Sequence, residues 1–100
     1  MDQPLPPDRC TSMAEVRAGV DATDRALAAL LATRFGYMRA AARIKPDRGA
    51  VRDEARKAQV IQAMRDHARA LGWPEAVAAD LWERLVEASI AYELAEFDAR

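Results

Sequence analysis

The chain has 100 residues, formal net charge −1, one Cys and one His, with Ala and Arg prominent and only four Gly and five Pro. That length holds one domain, and the near balance of charge excludes an electrostatic nucleic-acid binder, which carries a clear basic excess. Cys10 cannot form an internal disulfide, His67 leaves no zinc constellation, and no stretch approaches the roughly 18 apolar residues of a membrane span. Residues 1–11, with three of the prolines, read as an extended or disordered lead-in without a basic or apolar signal region, so a cytoplasmic location is expected.

Ser12-Met13-Ala14-Glu15 has the spacing of a capping box, a hydroxyl N-cap with a carboxylate three residues on. From there Val16, Val20, Thr23, Leu27, Leu30, Arg34, Met38, Ala41 and Lys45 recur at intervals of three and four, which predicts a first helix from about 13 to about 45. Gly19 and Gly36 weaken it without ending it, and Pro46 forces the stop. Pro46-Asp47-Arg48-Gly49 is turn chemistry. A second helix is expected from near Asp53, with Val60, Ile61, Met64, Ala68 and Leu71 as its stripe and Gly72 as its end. Trp73-Pro74 breaks the chain, and a third helix opens at Pro74-Glu75 and continues through Val77, Leu81, Leu85, Ser89 and Tyr92 to about Phe97. Nothing alternates with period two. The fold class expected is all-α, three helices with a very long first one, in a single domain over residues 12–100.

A first helix of some 33 residues spans roughly 50 Å, whereas a compact chain of this size is only about 35 Å across. Two shorter helices cannot cover it, so its apolar stripe needs a partner, most simply a second copy about a two-fold axis. An intertwined homodimer is expected, the alternative being a kinked first helix in an ordinary three-helix bundle.

Two cations interrupt the apolar register of that helix. Arg34 and Lys45 lie almost three turns apart on one face, roughly 16 Å along the axis, with Met38 and Ala41 as a small apolar floor between them. Such a face suits a compact anion, although solvated helix charges are the plainer alternative. Lys45 is one of only two lysines against thirteen arginines, which favours a point charge at that position. Arg17 is about 25 Å from Arg34 along the helix, too far for one small ligand, but an antiparallel partner helix brings its own Arg17 within reach. In the third helix Ser89 and Glu93 share a face at i, i+4.

The order Arg17, Arg34, Lys45, a loop, Asp53 with Arg56, and Ser89-x-x-x-Glu93 resembles the all-helical chorismate mutases over about residues 10 to 97. Cys10-Thr11, Val16-Arg17, Val20-Asp21 and Asp24 look most like the branch that eliminates pyruvate from isochorismate to give salicylate. The resemblance implies an intertwined homodimer with two pockets, each borrowing an arginine from the opposite protomer. It implies a dicarboxylate substrate, rearrangement of chorismate to prephenate in aromatic amino-acid biosynthesis, and no metal or other cofactor, nucleic acid or membrane. The residues carried over are Arg34 and the partner's Arg17 for the two carboxylates, Lys45 and Glu93 as donors to the ether oxygen, and Asp53, Arg56 and Ser89 lining the pocket. Lys57 departs from the pattern, since the mutases often have Glu there and the lyase branch an apolar residue. Glu93 stands where many mutases have Gln. Chorismate mutase is the leading reading; isochorismate lyase and a non-catalytic helical dimerisation module are the alternatives.

Overall fold

The structure, a computed structural model, describes residues 4–100. It is all-helical, with no strand among the described residues. Helix α1 runs Met13–Ile44, α2 Glu54–Leu71 and α3 Glu75–Asp98, with single 3-10 turns at Pro7–Arg9 and Arg48–Ala50. Residues 1–3 of the expected lead-in lie outside the described residues, and Pro7–Arg9 give the remainder one turn of helix. No described helix is long and apolar enough to cross a membrane.

Each boundary has a local cause. At the start of α1 the Glu15 amide donates to Ser12 Oγ at 3.2 Å while the Ser12 amide donates to Glu15 Oε1 at 3.1 Å, a reciprocal capping box. Thr11 adds its own amide and hydroxyl to the same oxygen, and these bonds hold the Glu15 carboxyl below its ordinary pKa. At the other end Lys45 N–H still reaches Ala41 O at 2.9 Å, one residue before Pro46. Asp47 caps the short turn by accepting from the Ala50 amide, and Asp53 caps α2 by accepting from the Arg56 amide at 3.0 Å. Gly72 closes α2 in the left-handed region at φ 85°, where a side chain would be strained. Pro74 then stands at the N-cap of α3 rather than within it.

The chain divides into two compact units, the first ending at Phe35 and the second comprising Gly36–Arg100. The first is the N-terminal portion of α1 with its lead-in turn. None of its described residues is buried, and Val16, Val20, Leu27, Leu30 and Leu31 are all exposed. Isolated helices derive little stability from propensity alone, so this apolar stripe is an unsatisfied surface.

The second unit carries the core. Helices α2 and α3 pack together, and Val51, Val86 and Ile90 form a buried cluster supported by Val60, Trp82, Leu94 and Phe97. Ala68 in α2 and Ala78 in α3 are fully covered. The α2–α3 pair is laced on its outside by ions: Lys57 Nζ reaches Glu83 and Glu87 at 2.7 and 2.8 Å, and Arg52 makes a fork on Glu87. Arg52 and Lys57 together hold the Glu87 carboxyl down to about 2. Arg69 bridges Asp66 and Glu75 across the α2–α3 turn, lowering the Glu75 pKa. Arg100 satisfies carbonyls left open at the end of α1, donating from Nη1 to Ala42 O and Lys45 O at 3.0 and 2.8 Å.

Candidate active site

The third helix buries an unusual face for its composition. Ala78, Val86, Ser89, Ile90 and Glu93 are its buried residues, so a carboxylate shares a stripe with the core. Glu93 is 4% exposed, and an acidic residue is seldom so deeply covered unless it is paired. Its partner is Lys45, just beyond the last turn of α1, whose Nζ lies 2.7 Å from Glu93 Oε2. The same ammonium lies 3.4 Å from Val51 O and donates to it, on the core side of the α1–α2 connection.

The contact between Lys45 and Glu93 is one of charge rather than a directed hydrogen bond. Oε2 is fully covered yet has no well-aligned donor, although Nζ is close. Coulomb attraction tolerates that geometry, whereas a hydrogen bond weakens steeply off axis. The pair therefore places a cation and a covered oxygen side by side with hydrogen-bonding capacity unspent on both. A lysine ammonium has three protons to give, and one is committed to Val51 O. This is a suitable arrangement for meeting an oxygen that gains negative charge during a reaction.

Ser89 lies one turn before Glu93 on the same buried face, and its hydroxyl donates to Leu85 O at 2.7 Å. Asp53 and Arg56 occupy the first turn of α2, where both are exposed and the Asp53 carboxylate serves as the helix cap. Thus Lys45 and Glu93 are brought into contact, Ser89 is aligned with them along α3, and Asp53 caps the helix that was expected to start near it. Lys45, Asp53, Arg56, Ser89 and Glu93 all belong to the second unit, and Arg17 and Arg34 to the first. Arg17 is exposed on α1, and Arg34 is half-buried and engaged in an interaction of its own.

Lys57 is now accounted for structurally. Its ammonium is held by Glu83 and Glu87 of α3, and its side chain is largely covered. Those carboxylates raise its pKa, the Glu83 bond foremost. Its role in joining α2 to α3 was not evident from the sequence. The signal was present in Glu83 and Glu87, which are spaced i, i+4 on α3.

No characterised protein compared with the chain matches it at a significant level. The sequence pattern that defines the type II chorismate mutases does match, over residues 16–94. That interval contains Arg17, Arg34, Lys45, Asp53, Arg56, Ser89 and Glu93, and covers all of α2 with most of α1 and α3. An all-helical chain whose buried carboxylate faces a lysine at the end of the first helix, matched over more than three quarters of its length, belongs to the type II chorismate mutase family.

Proposed function

We propose that this chain is a chorismate mutase, converting chorismate to prephenate as an intertwined homodimer with two shared pockets. The observation that carries the reading is the Lys45–Glu93 pair, a cation and a covered carboxyl held side by side in a chain of this family. The rearrangement is intramolecular: the ether C–O bond breaks as a new C–C bond forms, through a chair-like conformer. Nothing has to be attacked or oxidised. The protein's contribution is to hold the reactive conformer and to stabilise the charge that grows on the ether oxygen.

In this reading Arg34 and the partner subunit's Arg17 hold the substrate's two carboxylates, a task that guanidinium forks suit. Lys45 donates to the ether oxygen. Glu93 donates beside it in its protonated form, because an ionised carboxylate only accepts and would repel the developing charge. Asp53, Arg56 and Ser89 complete the lining. The exposed apolar stripe of α1 supports the dimer, since a second copy of the same helix supplies the cover that stripe lacks.

The residues around Val16-Arg17 and Val20-Asp21 favour a second reading, elimination of pyruvate from isochorismate in the same pocket. Incubation of the pure protein with chorismate and, separately, isochorismate, followed by product identification, tests both. Prephenate from chorismate supports the mutase; salicylate and pyruvate from isochorismate support the lyase. Turnover of neither by the folded dimer refutes both and leaves a dimerisation module.

A further inference from the structure

Two kinds of partner hold arginines in this chain. Arg48, Arg52 and Arg69 each lie on carboxylates: Asp98, Glu54 with Glu87, and Asp66 with Glu75. Arg39 and Arg100 are instead held by neutral oxygens. Arg39 Nη1 donates to the Tyr92 hydroxyl at 3.0 Å. Arg100 donates to the carbonyls of Ala42, Lys45 and Pro46, and its guanidinium lies 3.7 Å over the Phe97 ring. Neutral partners fix the orientation of a guanidinium without cancelling its charge.

These two arginines meet in one cleft of about 320 Å³, lined by Arg39, Ala42, Arg43, Glu96, Ala99 and Arg100, all within the second unit. Arg43 is exposed one turn after Arg39, and like charges at i, i+4 repel unless something between them compensates. The C-terminal end of the α1 dipole favours some positive charge here. Glu96 offsets one cation and sits close enough to raise the Arg39 pKa, after the larger effect of Tyr92. Three guanidinium side chains against the one carboxylate side chain of Glu96 make the lining basic around a concave surface with an alanine floor.

We propose that this cleft is a second anion site, distinct from the pocket built on Lys45 and Glu93, that binds a compact oxyanion such as a carboxylate or phosphate group. Arg39 and Arg100 are preorganised by their neutral partners, and Arg43 closes on the ligand from the exposed rim. None of the six lining residues is among those assigned to the substrate, so the inference does not depend on which reaction the chain catalyses. The cleft nonetheless touches the other site, because Arg100 also holds the carbonyl of Lys45.

The test is calorimetric titration of the intact protein with inorganic phosphate and, separately, malonate, in chloride buffer at fixed ionic strength. Wild type should bind at least one of them saturably with Kd of about 1 mM or tighter. Saturation by phosphate alone marks a phosphate-bearing ligand, and saturation by malonate alone a carboxylate. Arg43→Ala should weaken binding at least about tenfold, while Arg84→Ala, at an exposed arginine of α3 outside the cleft, leaves it unchanged. Alanine at an exposed helical position favours the helix, and Arg43→Gln, which keeps much of the side-chain length, repeats the measurement should the alanine variant fold poorly. Absence of saturable binding by wild type overturns the proposal. So does wild-type affinity in folded Arg43 variants, or a loss that appears in Arg84→Ala and not at Arg43.

Discussion

Lys45→Ala is expected to damage the fold as well as the chemistry, because it strands Glu93. The Glu93 side chain is 5% exposed and the Lys45 side chain 30% exposed, so only one end of the pair is in contact with water. Removing one partner of a fully buried pair costs about 3–5 kcal/mol. Water access at the lysine end and the lack of a directed hydrogen bond reduce that here to about 2–3 kcal/mol, which for a domain of this size lowers Tm by about 10–20 °C. Adding Glu93→Gln removes the stranded charge and keeps the shape. The double variant should therefore be more stable than Lys45→Ala alone by about 1–2 kcal/mol. Thermal denaturation of wild type, both single variants and the double variant, at one pH and one protomer concentration, measures the cycle. A double variant that melts at or below Lys45→Ala would refute the argument, since the cost would then not come from an uncompensated carboxylate.

The uncovered stripe of α1 leads to a dimer whose Tm rises with protein concentration; a compact monomer at micromolar concentration in sedimentation refutes it. Arg17→Ala and Arg34→Ala should each be inactive, and mixed dimers of the two should regain about one active pocket in two if sites are shared; inactive but folded mixed dimers exclude sharing. Glu93→Gln keeps a hydrogen-bond donor at the same place, so the variant should retain turnover at neutral pH; a folded Glu93→Gln protein without turnover removes Glu93 from the donor role. The Glu87 pairs stabilise the fold fully above its ordinary pKa of 4.5 and lose their contribution as pH falls toward about 2, because the folded-state value is the depressed one. Urea midpoints for wild type and Glu87→Gln should therefore differ at pH 6 and converge near pH 2, and a constant difference would show that the ion network is not their source.

The helices were legible because their signals are local. Ser12 with Glu15, the Pro46 stop, Asp53 and Gly72 act within one turn of themselves, and the boundaries fall within a residue or two of expectation. Glu93 was legible as a pocket candidate through its spacing from Ser89 and its place in the family resemblance, but its deep burial against Lys45 depends on a contact 48 positions away in the chain. The neutral anchoring of Arg39 and Arg100 was not legible at all. Tyr92 and the α1 carbonyls become partners only once α3 folds back along the end of α1, and nothing in the composition separates those arginines from the ones that sit on carboxylates. Lys57 showed as a departure from the family pattern, but its place between Glu83 and Glu87 requires α2 and α3 to be packed first.

The hairpin of α2 and α3 is also constrained in two opposite ways within ten residues. Ala68 and Ala78 are closed to solvent, so a longer side chain there has to be accommodated inside the protein, while the alanines themselves lose no side-chain freedom on folding. At Gly72 a methyl group would meet nothing within 4 Å, yet the backbone angle strains any side chain placed there. Sequence drift in this hairpin is thus limited by volume on the helices and by dihedral angle at the turn. Glycine, at a cost in helix stability, is the smaller variant at the first kind of position, and Asn, which tolerates the left-handed region, is the natural variant at the second.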